Sequence, residues 1–211
     1  RDTTPTAGAA RDSAAPAPRG TGPRHPARTP DEVMLRLVDI LSQDRVLVDV
    51  RGSEFTDKRS VMSALATLLS PTSGSDRESV ERLLLEREAL RSTGIGDGVA
   101  IPHCFVESAS EQRAALLLCP TGVEFDAIDK KPVNIVVGVV GPKRATEHLR
   151  VLARVSRVLH DTDVRARLVN SADAEQAYAL IQSRDQRLTL PFTTRPTKKR
   201  GRFPTAPGFT N

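Results

Sequence analysis

Residues 93–103 read Thr-Gly-Ile-Gly-Asp-Gly-Val-Ala-Ile-Pro-His, and this run holds the chain's most suggestive side chain for chemistry, His103. Three glycines at alternate positions allow a tight turn or a close backbone approach to a ligand. Val99-Ala100-Ile101 then reads as a short strand. Pro102 cannot donate to a sheet ladder, which places it at the strand's end or on an edge. His103 is thereby expected to stand where the strand stops, beside accessible backbone N–H groups, at the kind of position where α/β proteins place chemistry. A second imidazole, His148, falls in the first turn of a helix expected from about Thr146 to Leu159, where exposed N–H groups and the helix dipole favour an anion. Arg87 falls near the end of another expected helix. Read by itself it is an ordinary surface arginine in an i,i+4 charge pattern.

Other uses of the same residues are disfavoured. The glycine run is not followed by Gly-Lys-Ser/Thr, so it is no P-loop, and it leads into a strand, which departs from the dinucleotide fingerprint. A zinc site from His103, Cys104, Cys119 and His148 lacks the paired short spacings of structural sites. A Cys104 nucleophile with His148 as base has no further supporting residue. No metal or cofactor is expected. His25 lies in a low-complexity arm, and His160 sits at a helix C-terminus where the dipole accounts for it.

The elements that must position these residues follow from periodicity. The expectation is a helix over 31–42, a strand over 45–50 with Val46, Val48 and Val50 on one face, and a helix over 58–69 ended by Pro71-Thr72-Ser73-Gly74. A helix capped by Ser75 or Asp76 then runs to about Leu90. Ala114–Cys119 and Val133–Val140 are nearly continuous apolar runs, hence central strands covered on both faces, with an edge segment between them at 123–128. Leu149, Leu152, Val155 and Leu159 are expected inward on the His148 helix, and two further helices close the domain at about Ile181.

Residues 1–30, rich in Pro, Ala, Thr, Arg and Gly, are expected to be a disordered arm, 31–183 the folded domain, and 184–211 a basic disordered tail. The arm carries five Arg and two Asp (+3), and the tail seven Lys/Arg and one Asp (+6). The formal total of +5 therefore leaves −4 for residues 31–183. A mildly acidic domain argues against a nucleic-acid-binding fold, despite the pI of about 9.7. Two cysteines make no disulfide framework, no apolar run approaches a membrane span, and the N-terminal stretch lacks the apolar centre of a signal peptide. A cytoplasmic setting is expected.

Four motifs in order carry a resemblance: Leu-Glu-Arg-Glu (85–88), Ser-Thr-Gly-Ile-Gly-Asp-Gly-Val-Ala-Ile-Pro-His (92–103), Phe-Asp-Ala-Ile-Asp with Pro-Val (125–133), and Glu-His-Leu-Arg-Val-Leu-Ala (147–153). Over about 35–182 the chain resembles the type-2 enzyme IIA domains of the bacterial phosphotransferase system, which include fructose/mannitol and nitrogen-regulatory members. The resemblance implies an α/β fold with a central mixed sheet flanked by helices on both faces. It implies a phosphoryl carrier, a phosphotransferase working through phosphohistidine at His103. His148 lines the site and Arg87 reaches the phosphoryl group, where a guanidinium holds two oxygens at once. Thr93, Gly96 and Gly98 are expected to add phosphate contacts. The implied partners are a phosphorylated HPr-like donor and either a regulatory target or a IIB protein. No stretch resembles a fused membrane IIB/IIC domain, so a nitrogen-regulatory output is expected over sugar transport; a non-catalytic adaptor is the remaining alternative.

Overall fold

A computed structural model of the protein describes residues 36–189. The expected arm at 1–30, the first residues of the expected 31–42 helix and the tail beyond 189 lie outside the described residues.

The chain enters through a single 3₁₀ turn, Leu37–Asp39, and passes at once into strand β1, Leu41–Val48. What remains of the expected helix is that turn. Leu37, Ile40, Leu41 and Val46 are all buried on one side of the sheet, so residues spaced for a helix are used by a turn and a bulged strand instead. Val50 lies beyond the strand and is exposed. Helix α1, Lys58–Ser73, starts at Asp57, whose carboxylate accepts the Ser60 N–H, and it carries Pro71 inside its last turn before Gly74 ends it in the left-handed region. Helix α2, Arg77–Leu90, is capped by Asp76 through the Ser79 N–H and hydroxyl. Leu90 is exposed.

Four strands follow: β2 (Gly94–Gly96), β3 (Val99–Ala100), β4 (His103–Phe105) and β5 (Arg113–Val123); β6 (Val133–Gly141) completes the sheet. The order is β1-β5-β6-β3-β2, with β4 also on β6. β1 is parallel to β5, β5 antiparallel to β6, and β3 and β4 both parallel to β6, so the sheet is mixed. β5 runs past the turn expected at Thr121-Gly122, accommodating it as an irregularity before Val123.

β3 and β4 hold one register against β6. Val99 pairs with Ile135 and His103 with Val139, the same offset on both sides of Pro102. The strand therefore does not stop at the proline. Pro102 interrupts the ladder because it has no N–H, yet its carbonyl still accepts the Val139 N–H at 2.9 Å. Side-chain parity is kept. Val99 and Ile101 join the core on one face, and Ala100 and Cys104 the core on the other.

Helices α3 (Ala145–Leu159), α4 (Thr162–Val169) and α5 (Ala174–Thr189) follow β6. The core has two layers. α1 and α2 cover one face of the sheet with Val61, Leu65, Leu69, Val80 and Leu84. α3, α4 and α5 cover the other with Val151, Val155, Val158, Leu168 and Ile181. Helices thus flank both faces, as expected.

α5 continues well past Ile181. Its fourth turn holds Asp185, fully buried, which accepts from Arg154 Nε of α3 at 2.6 Å and from the Val38 N–H at 3.2 Å. Arg154 also donates to the Asp185 carbonyl at 2.8 Å. An ionic anchor inside a helix leaves no trace in apolar periodicity. Asp185→Ala takes the carboxylate away from a buried guanidinium and is expected to cost about 3–5 kcal/mol, seen as a lower urea midpoint; replacing both partners by leucine is expected to recover most of the loss.

Candidate functional site

β4 has β6 on one side only, so its first residue is reachable from both faces of the sheet. His103 and Phe105, two apart, project toward α3; Cys104 between them projects into the α1/α2 core. The His103 Nδ1 lies 2.8 Å from the Ile101 carbonyl. A carbonyl only accepts, so the proton is on Nδ1 and Nε2 keeps its lone pair. Into that lone pair points Arg87 Nε, 3.1 Å away, reaching from the last turn of α2. Arg87 Nη1 donates to the Arg91 carbonyl at 3.0 Å, and Nη2 has no hydrogen-bond partner among the described residues. The guanidinium is thus fixed in place with donors to spare.

His148 is the fourth residue of α3 and 3% exposed. Its ring packs on His103 and Phe105, with centroids 5.2 and 4.7 Å away. The helix begins at Ala145 with Arg144 in the capping position, which makes no side-chain cap bond, so Thr146 is inside the first turn and not its cap. The inward stripe is His148, Val151, Val155, Val158 and Leu159. Leu149, expected inward, is 65% exposed, because the helix is rotated by one position so as to bury the imidazole.

Burial holds His103 below the ordinary imidazole value, and the nearby Arg87 cation adds to the lowering against the pull of the Ile101 carbonyl. His148 is pushed down to about 4 by burial, with His103 and Arg87 adding to the shift. Both rings are therefore neutral at neutral pH, and His103 is in the form that attacks an electrophile.

A cleft of about 760 Å³ opens onto His103, walled by Arg87, Arg91, Thr93, Ile101 and Leu149 among others. Thr93 lines it, but its N–H and hydroxyl are committed to Glu88 Oε2 at 2.9 and 2.6 Å. Glu88 in turn sits 3.1 Å from Lys58 Nζ, which also pairs with Asp126 at 2.8 Å. This network pins the end of α2 to the start of β2 and so fixes the base of Arg87.

Gly96 and Gly98 are not brought to the site. Both have positive φ, and with Asp97 they form the hairpin between β2 and β3. Five steps of extended chain separate Gly98 from His103, about 16 Å. Neither lines the cleft. Cys104 and Cys119 point into the α1/α2 core while the two histidines stand on the α3 side, so the four do not converge as a zinc site. Among the described residues no cluster of three or more His, Cys, Asp or Glu is disposed to hold a metal ion. Burial pushes both thiols up to about 12, which removes the nucleophilic form of Cys104.

Residues 39–184 match the family model described as phosphoenolpyruvate-dependent sugar phosphotransferase system, EIIA 2. The chain belongs to this family. It is 36% identical over 150 residues to a nitrogen regulatory protein of Pseudomonas aeruginosa, covering 70% of this chain and 96% of that one. The crystal structure of nitrogen regulatory protein IIA-Ntr from Neisseria meningitidis superposes with a TM-score of 0.62 at 32% identity, over 68% of this chain and 97% of that one. The Escherichia coli mannitol IIA enzyme, in its complex with phosphorylated IIB, shares the fold at 21% identity and a TM-score of 0.57, over 68% of this chain and 97% of that one. No described helix of this EIIA 2 domain is long and apolar enough to cross a membrane.

Two residues of the site carried little sequence signal. Glu88 was readable only as the neighbour of Arg87 in Leu-Glu-Arg-Glu. Gln112, which closes a polar loop, contacts His148 and is 1% exposed; nothing in its local sequence marks it.

Proposed function

We propose that the chain is a cytoplasmic phosphoryl carrier that accepts a phosphoryl group on His103 Nε2 from a phosphorylated HPr-like protein and serves a nitrogen-regulatory-type signalling role. One observation carries the reading: the Ile101 carbonyl holds the His103 proton on Nδ1, which leaves the Nε2 lone pair facing the Arg87 guanidinium at the cleft. In the transfer, that lone pair forms the new N–P bond as the donor's P–N bond breaks. The donor imidazole leaves with the bonding electrons. Charge on the equatorial oxygens is met by the Arg87 donors, so catalysis is positioning and electrostatics. The same residues then hold the group until it is passed on.

The identity to the Pseudomonas aeruginosa nitrogen regulatory protein supports a regulatory output. Adding about two negative charges at one cleft is enough to make or break an interface. A sugar-type role, with the group passed to a separate IIB, is the second reading; it is supported by the solved complex of the mannitol enzyme with phosphorylated IIB. The domain division, with an arm over 1–30 and a basic tail after the folded part, is retained as a proposal, its end moved from 183 to the close of α5 at Thr189.

The test is mass spectrometry after incubation with phosphoenolpyruvate, enzyme I and an HPr-type carrier of either the sugar or the nitrogen branch. One acid-labile phosphoryl group per chain is expected. No gain from either donor would leave the adaptor reading. A pH series sharpens the result. The neutral ring attacks, and burial lowers its basicity, so the acceptance rate is expected to hold level as pH falls past the ordinary histidine value of about 6.5. It drops only as pH passes through the lowered one. A rate that already halves at the ordinary value would mean that His103 titrates as if exposed.

A further inference from the structure

Gln112 stands just before β5 with its side chain buried against His148. Its Oε1 lies 3.1 Å from His148 Nδ1, the only hydrogen bond of that imidazole among the described residues. Around this contact are two buried polar atoms with no partner, Gln112 Nε2 and His148 Nε2. A buried polar atom left without a partner is unfavourable. The fold has made room for the amide. Gly141, at the end of β6, lies beneath it, and a Cβ there would come within 2.7 Å of Gln112 Nε2 and closer still to Oε1. The amide and the imidazole are a fitted pair that is incompletely satisfied.

A neutral imidazole carries one N–H. With the amide oxygen facing the ring, the proton is on Nδ1 and the ring's Nε2 is a bare lone pair. With the amide turned over, its NH₂ donates to Nδ1 and the ring's proton sits on Nε2. Each arrangement makes one hydrogen bond and strands polar atoms; in the one the structure shows, Oε1 faces the ring and Nδ1 carries the proton. The His148 ring packs on that of His103, with centroids 5.2 Å apart, so a phosphoryl group on His103 stands beside it and decides between the two. Its oxygens repel a lone pair and accept from an N–H.

The geometry points to Gln112 as a positioning residue that sets which nitrogen of His148 carries the proton, and to phosphorylation of His103 as the event that reverses the setting. This rests on the carrier reading above. The step is balanced by water. Nδ1 gives its proton to solvent, Nε2 takes one from solvent, the amide rotates about its last torsion, and the ring stays neutral. The burial that depresses His148 basicity keeps it neutral throughout. The arrangement belongs to the class of two-state elements biased by a ligand with different interactions in each state.

The experiment is long-range ¹H–¹⁵N NMR of the full chain with labelled histidine, before and after phosphorylation by phosphoenolpyruvate, enzyme I and the HPr-type carrier. In wild type, His148 is expected to carry its proton on Nδ1 before and on Nε2 after. Gln112→Leu is expected to lose the fixed tautomer of the unphosphorylated state. Gln112→Glu presents only acceptors and is expected to keep Nδ1 protonated in both states. Gly141→Ala displaces the amide without touching its chemistry and is expected to mimic Gln112→Leu. A wild-type His148 with the same protonation in both states, or an imidazolium in the phosphoprotein, overturns the proposal and leaves the carrier reading intact. So does a Gln112→Leu protein that keeps the wild-type tautomer in both states. A wild type that takes up no phosphoryl group overturns both, and is recognised by its unchanged mass.

Discussion

A His103→Ala protein is expected to gain no phosphoryl group from any phosphorylated carrier, at any pH, while keeping its fold. The loss is total because the lone pair that forms the N–P bond is on this side chain and no other group replaces it. His148 stands 5.2 Å away, ring to ring, but it is almost wholly buried and does not line the cleft. Cys104 is on the opposite face of the strand with its thiol held in the protonated form. Stability is expected to change little, since His103 is only half-buried and belongs to neither core layer. Mass spectrometry beside a urea titration separates the outcomes. A phosphoryl group found on the variant would move the acceptor elsewhere and remove the central assignment.

Arg87→Ala is expected to slow phosphoryl acceptance by about a hundredfold to a thousandfold, the range for deleting one preorganised donor to developing charge. Two effects of the guanidinium can be told apart. It offers hydrogen bonds to the transferring oxygens, and its charge depresses the basicity of His103. Without it, His103 becomes more basic, and the low-pH loss of rate moves to higher pH. Arg87→Lys keeps a cation nearby and is expected to leave that limb close to wild type. It gives up the planar fork held by the Arg91 carbonyl, so its rate falls between the other two. Rapid-quench measurement across pH reads both quantities. Equal rates for wild type and Arg87→Ala would show that the guanidinium does no more than pack against the ring.

The parts of this fold written in local pattern were legible. The apolar runs of β5 and β6 announced buried central strands, and the Asp76 cap announced α2. His103, Arg87 and His148 were singled out by their setting and by resemblance, and the structure brings all three together. What escaped was set by contacts distant in sequence. Leu149 was assigned inward by spacing, but the helix turns its buried stripe to cover His148. Asp185 extends α5 beyond the last apolar position through an ion pair with Arg154, 31 residues away. Leu37, Val38 and Leu41 fit a helical period but are used by a 3₁₀ turn and the start of a strand. Gly96 and Gly98 invited a phosphate-binding interpretation because glycine permits close approach; the hairpin uses the same freedom for positive φ. Gln112 was invisible, since its importance lies in Gly141 beneath it and His148 beside it, neither near it in the chain.

The unbroken register across Pro102 limits how this chain can vary in length. From Val99 to Phe105 successive side chains alternate between the two faces of the sheet, and His103 faces α3 and the cleft only by being an even number of steps from Val99. One residue inserted or deleted in that segment turns the imidazole under α1 and α2, toward the packed core that now receives Cys104. The loop between Val106 and Gln112 has no such parity to keep. Length changes in related chains should therefore accumulate on the far side of Phe105 and stay out of residues 99–105, whatever substitutions that segment accepts.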